Sequence, residues 1–143
     1  MNTNILTDSC FWIALFDPSS NIEEHQKAMD IADIVEQENI LIPWPTLYEF
    51  VNTRLARRQD NLLRFHQFLK KPNVQLIDDT PYKNTALVKT FEQTQHKYLS
   101  YSLVDQILRE IILDPNLKFN FLVTFNERDF QDVCHYRGIK ILN

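Results

Sequence analysis

Glycine is nearly absent: among 143 residues, Gly138 is the only one. P-loops and GxGxxG turns need glycine where backbone amides approach a phosphate, so both are excluded. A GxSxG nucleophile elbow is excluded by the same lack. The two cysteines, Cys10 and Cys134, form no CxxC or other metal-ligand spacing, which removes zinc ribbons and disulfide frameworks. Long apolar runs are missing too. The segment from Cys10 to Phe16 is far short of the ~20 residues that span a bilayer. Asp8 precedes it and no basic segment or small-residue cleavage site frames it, so it does not read as a signal peptide. A soluble, cytoplasmic chain with no membrane partner is expected. Excess positive charge is also absent: 15 Lys+Arg against 19 Asp+Glu give a net charge of −4. Nonspecific coating of nucleic acid is thereby excluded, and any nucleic-acid contact must be local. If the chain is an enzyme, side chains must carry its chemistry.

What is present is a core. Hydrophobic residues make up 44% and aromatic residues 12% of the chain, enough apolar area to offset ordering entropy. The length fits one domain, expected to span residues 1–143. Five apolar segments read as strands: Asn4 to Asp8, Ile40 to Pro43, Val74 to Ile77, Phe119 to Thr124 and Ile139 to Leu142. The fourth is continuously apolar, the mark of a strand buried on both faces. Helical patterns separate them. FWIALF begins a helix directly after the first strand. Ser20-Asn21-Ile22-Glu23 is a capping box opening a helix to about Asn39, with Ala28, Ile31, Ala32 and Val35 as its buried stripe. Thr46-Leu47-Tyr48-Glu49 is a second capping box, with Leu47, Phe50, Val51 and Leu55 behind it. Further helices are expected over Asp60 to Lys71, from Pro81 onward with Leu87 and Phe91, and from Ser102 through Ile107, Leu108, Ile111 and Ile112. Alternating strands and helices predict an α/β domain whose parallel sheet is covered on both sides.

In such a sheet ligands bind beyond the carboxyl ends of the strands. Asp8 ends the first strand, Glu49 and Asp105 lie in the first turns of their helices, and Asn126 and Asp129 follow the fourth strand. All are expected on one rim. Carboxylates gathered there repel unless neutralised, and hard oxygen donors without nearby His or Cys suit Mg²⁺ or Mn²⁺. An ion so held can activate water for attack on a phosphodiester. Each residue also has a plainer reading. Glu49 and Asp105 fit capping patterns, and Asp129 fits a cap for a short last helix. Asp8, a carboxylate ending a buried strand where solvation is poor, is harder to explain that way.

These residues resemble a known family, the PIN-domain ribonucleases, including the VapC-type toxins of bacterial toxin–antitoxin pairs. The resemblance lies in ILTDSCFWIALFD, PWPTLYEFVN, LSYSLVDQILREI and FLVTFNERDF, whose order and spacing cover nearly the whole chain. It implies a three-layer α/β/α sandwich with a parallel, roughly five-stranded sheet. It also implies an Mg²⁺- or Mn²⁺-dependent RNA endonuclease, homodimers and an inhibiting antitoxin partner. Residue by residue, Asp8, Glu49 and Asp105 resemble the family's first three acids and metal ligands. Thr124-Phe125-Asn126 resembles the T-x-D segment that supplies a fourth, with Asn126 in place of the acid and Asp129 three residues on. Ser9 and Thr124 resemble the small hydroxyl residues flanking the pocket. The alternative is a PIN-like module that has lost catalysis and serves as a binding or scaffold protein.

Arg54, Arg57 and Arg58 fall at i, i+3 and i+4 of the helix carrying Glu49, either as an RNA-phosphate grip near the metal or as a solvated helix end. Phe11, Trp12 and Phe16 fit a core or a dimer surface. Trp44 fits base stacking or a hydrophobic staple for the helix after it. The four histidines share no metal spacing. A receiver domain or a DxDx phosphatase needs a second acid beside Asp8, and Cys10 occupies that place.

Overall fold

A computed structural model describes residues 3–19, 21–52, 57–93 and 101–143. Its five strands are β1 (Asn4–Thr7), β2 (Asn39–Pro43), β3 (Val74–Ile77), β4 (Phe121–Val123) and β5 (Lys140–Leu142). They form one sheet in the order β3-β2-β1-β4-β5, with every pairing parallel. The helices are α1 (Ser9–Phe16), α2 (Ile22–Val35), α3 (Trp44–Val51), α4 (Gln59–Leu69), α5 (Thr80–Gln93), α6 (Leu103–Leu113) and α7 (Gln131–Arg137). This is the expected α/β/α sandwich.

Alternation along the buried strands builds a core on each face of the sheet. Ile5, Ile40, Ile42 and Val123 face one way, against Phe11 and Trp12 of α1, Ala28, Ala32 and Val35 of α2, Leu47 and Phe50 of α3, and Phe65 of α4. Leu6, Leu41 and Leu122 face the other, against Ala86 of α5, Ile107, Leu108, Ile111 and Ile112 of α6, and Val133 and Cys134 of α7. The first core is aromatic. Trp12 meets Phe11, Phe65 and Phe68 with ring centroids 5.0, 5.5 and 5.0 Å away, and its indole N–H donates to Thr7 Oγ1 at 2.9 Å. Phe11 and Trp12 therefore belong to the core rather than to a dimer surface, and Phe16 packs against Phe50 and Phe65. Gly138 ends α7 with φ 68°, the left-handed conformation that disfavours a side chain, so the one glycine stands where the backbone needs it.

Several local expectations change. Asn21, not Ser20, caps α2 in the structure: its side chain accepts the Glu24 N–H at 3.1 Å, and Ser20 lies outside the described residues. α3 starts at Trp44, two residues before Thr46, because Pro45 suits a first helical turn where no amide partner is lost. Thr46 Oγ1 donates instead to the Thr7 carbonyl at 2.8 Å, so Thr46-x-x-Glu49 is not a capping box. Trp44 is then no staple preceding a helix. It is a helical residue, exposed, its ring tilted against that of Tyr48 with centroids 5.9 Å apart. On α5, Leu87 and Phe91 point outward and Ala86 faces the core. Val51 is also exposed, and Leu55 lies outside the described residues. Among the described residues, no helix is long and apolar enough to cross a membrane.

Candidate active site

The strand order reverses between β1 and β4, and the crevice beyond their carboxyl ends is where such sheets place ligands. Asp8 leaves β1 at that point. It is also the N-cap of α1, taking the Ser9 amide on Oδ1 at 2.7 Å. Its Oδ2 accepts the Thr124 hydroxyl at 2.9 Å and the Cys10 thiol at 3.4 Å. Thr124, just past β4, is fully buried and accepts the Asn126 amide on its own Oγ1 at 3.0 Å. One hydroxyl thus links the ends of both central strands.

Glu49 projects from the second turn of α3, not from the first turn expected, because the helix starts at Trp44. Its Oε1 accepts the Ser9 hydroxyl at 2.8 Å, and Ser9 Oγ stands 3.5 Å from Asp8 Oδ1. Ser9 therefore bridges the first two acids, and Glu49 belongs to the pocket rather than to a cap. Ser102 does cap α6, accepting the Asp105 amide on Oγ at 3.1 Å. The Asp105 carboxylate also feels the charges of Glu49 and Asp129. Asp129 ends a 3₁₀ turn (Glu127–Asp129) after β4, and Asn126 Nδ2 donates to its Oδ2 at 2.6 Å. Asn126 is a neutral donor that orients Asp129, and Asp129 brings the fourth negative charge.

Burial raises the Asp8 carboxyl above the ordinary carboxylate range; the Thr124 and Ser9 hydrogen bonds oppose this, and Asp105 adds repulsion. Glu49 is raised by burial, against the Ser9 hydrogen bond and with the Asp8 charge. Asp105 is raised by burial, then by Glu49 and Asp129. Without a counter-charge, each of the three resists ionisation. The donors are carboxylate oxygens set among hydroxyls, a hard-ligand set that fits Mg²⁺ or Mn²⁺. Among the described residues, no three His, Cys, Asp or Glu side chains are grouped closely enough to hold an ion together.

Two participants escaped the sequence reading. Cys10 donates to Asp8 while its sulfur accepts the Phe125 amide at 3.3 Å; burial pushes its thiol up to about 12, so it is a neutral donor. Arg109, four residues after Asp105, grips the turn bearing Asp129. The i, i+4 spacing of Asp105 and Arg109 was the available signal.

Arg57 and Arg58 do not lie on the helix that carries Glu49. α3 ends at Val51, Arg54 lies outside the described residues, and Arg58 precedes α4 with its guanidinium 3.7 Å from Asp17. Asp17 follows the last turn of α1, whose eight residues carry it about 12 Å from the pocket end. Arg57 is exposed beside Arg58. The expected RNA grip put Arg57 and Arg58 on the Glu49 helix, and α3 ends before either of them.

No family model matches the chain, and no curated protein matches it in sequence. Solved structures do. VapC20 of Mycobacterium tuberculosis, a sarcin-ricin loop cleaving toxin, superposes with a TM-score of 0.65 at 15% identity, over 90% of this chain and 94% of that one. FitAcB from Neisseria gonorrhoeae gives 0.62 at 14% identity over 97% and 96%. VapBC2 from Rickettsia felis, bound to a DNA fragment from their promoter, gives 0.59 at 13% identity over 96% of both chains. The strand order, the two-sided core and these superpositions agree: the chain has a VapC-type PIN-domain fold.

Proposed function

We propose that the chain is a metal-dependent RNA endonuclease, the toxin of a VapBC-type pair. The observation that carries this reading is that Asp8, Glu49, Asp105 and Asp129, from four separate segments, lie toward the reversal point of a VapC-type sheet, near enough for their charges to act on one another. Asp8, Glu49, Asp105 and Asp129 are the residues that would hold Mg²⁺ or Mn²⁺ between them. Mg²⁺ commonly binds through one or two carboxylates and keeps several waters, which suits a pocket without a closed three-residue cage. When bound, the ion supplies Lewis acidity toward a scissile phosphate and its attacking water.

The chain's own groups do the rest. Ser9 occupies Oε1 of Glu49, leaving Oε2 to take a proton from the attacking water. A carboxylate whose proton affinity is raised is a better base near neutral pH. Thr124 and the Ser9 amide fix both oxygens of Asp8, so that acid needs little reorganisation to bind a cation. The N-terminus of α1 adds favourable potential for the Asp8 anion. The likeness to VapBC2 and FitAcB supports an antitoxin partner. A cytoplasmic homodimer is part of the same proposal; light scattering at twice the 17.1 kDa chain mass supports the dimer, and a 17.1 kDa species contradicts it.

The test is cleavage of end-labelled structured RNA with Mn²⁺ or EDTA, beside Asp8→Asn purified identically. Cutting that requires both the metal and Asp8 supports the nuclease. A protein that cuts no RNA with metal present favours the scaffold alternative, for which Asn126 in the usual acid's place is the specific observation.

A further inference from the structure

Arg109 lies on α6 one turn beyond Asp105, and its guanidinium is fully engaged on one side. Nη1 donates to the Asp129 carbonyl oxygen at 2.7 Å and to Asp132 Oδ1 at 2.7 Å. Nη2 donates to Asp132 Oδ2 at 2.7 Å, completing a two-pronged pair. The Tyr101 ring covers the guanidinium, its centroid 4.1 Å from Cζ. Tyr101 is itself tied by its amide to Gln93 Oε1 at 3.1 Å, and the Gln93 amide group bonds Gln106. Nε is buried with no hydrogen-bond partner.

Leaving a buried donor unpaired is costly, and an ion pair with an exposed acid returns little stability. The arrangement is better explained by geometry. Arg109 joins the helix that carries Asp105 to the backbone of Asp129, the two acids that meet across the pocket. Asp132, in the first turn of α7, anchors the other side of the fork.

We propose that Arg109 is a positioning residue that locks the Asn126–Asp129 turn against α6, so that Asp129 and Asp105 face one bound cation. The proposal rests on the metal-pocket reading above. It assigns the fork, not the charge, as the working feature, because lysine keeps the charge and cannot make the planar two-pronged contact.

The experiment is calorimetric titration of Mn²⁺ into wild type, Arg109→Lys and Asp132→Asn, with far-UV dichroism confirming the fold of each. Asp132→Asn keeps the side-chain shape, so one readable variant remains if Arg109→Lys misfolds. Both are expected to bind Mn²⁺ about tenfold more weakly, as loss of a group orienting a ligand commonly does. The Arg109→Lys loss is expected to vanish in an Asp129→Asn background and to persist in a Glu49→Gln background. General destabilisation would not produce that pattern. Wild-type affinity in both variants, or an undiminished Arg109→Lys loss in Asp129→Asn, overturns the positioning role and leaves the metal pocket standing. A wild type that binds no Mn²⁺ overturns both.

Discussion

Burial and neighbouring negative charge act in one direction on Asp8, Glu49 and Asp105, favouring their protonated forms in the folded chain. The folded state then holds more protons than the unfolded one between an ordinary carboxylate value, about 4, and the raised folded values. Over that window the three acids contribute less stability as pH rises. Asp132 and Asp114 have the opposite sign, held low by hydrogen bonds from Arg109 and Tyr82. The difference between wild type and a Glu49→Gln/Asp105→Asn variant removes their common contribution. In EDTA, wild type is expected to lose melting temperature with rising pH more steeply than the variant, and to melt below it at pH 7; parallel curves contradict the repulsion. Asn126→Asp replaces the donor to Asp129 with a like charge. Its metal-free melting temperature should fall below wild type, with a larger recovery on adding Mn²⁺, both read from melting curves. Asp8 and Asp105 stand out in the sequence because one ends a strand and the other opens a helix, whereas Glu49 lies in the second turn of α3, one turn later than its pattern suggested. Cys10 and Arg109 were not legible there, since their roles need contacts to the turn after β4, as the 115-residue separation of Cys10 and Phe125 illustrates.

Helix ends and packing faces decide how well the elements hold those side chains. Ser102 caps α6 through the Asp105 amide, so Ser102→Ala should cost about 1 kcal/mol in denaturant unfolding. Gly138→Ala forces a side chain into the left-handed region at the end of α7 and should cost roughly 1–2 kcal/mol. Trp12→Ala opens the aromatic core behind the pocket and removes the indole donor to Thr7; about 3–5 kcal/mol is expected. Wild-type unfolding midpoints in these variants contradict the assigned contacts. Strands were read to within two residues. β1, β2 and β4 are buried on both faces and so leave continuous apolar runs, while β3 and β5, partly exposed, are still short apolar segments between helical patterns. Helix faces were read less well. Leu87 and Phe91 have core spacing, yet α5 meets α6 through Ala86 and the polar pairs Lys89–Glu110 and Gln93–Gln106. A small residue that lets helices approach leaves little trace in a hydrophobic pattern.

The parallel order β3-β2-β1-β4-β5 turns scattered acids into one pocket, since only the reversal between β1 and β4 brings Asp8 beside Thr124 and the turn beyond it. The fold places the groups, and their mutual repulsion is what the proposed divalent cation would relieve. Thermal unfolding with saturating Mn²⁺ against EDTA, on wild type and Asp8→Asn, tests that directly. Binding at a hundredfold excess over the dissociation constant is worth about 2.7 kcal/mol, a rise of roughly 5–10 °C for a chain of this size. Wild type should show that rise and Asp8→Asn should lose most of it; a wild-type melting temperature that Mn²⁺ leaves unchanged contradicts the metal pocket.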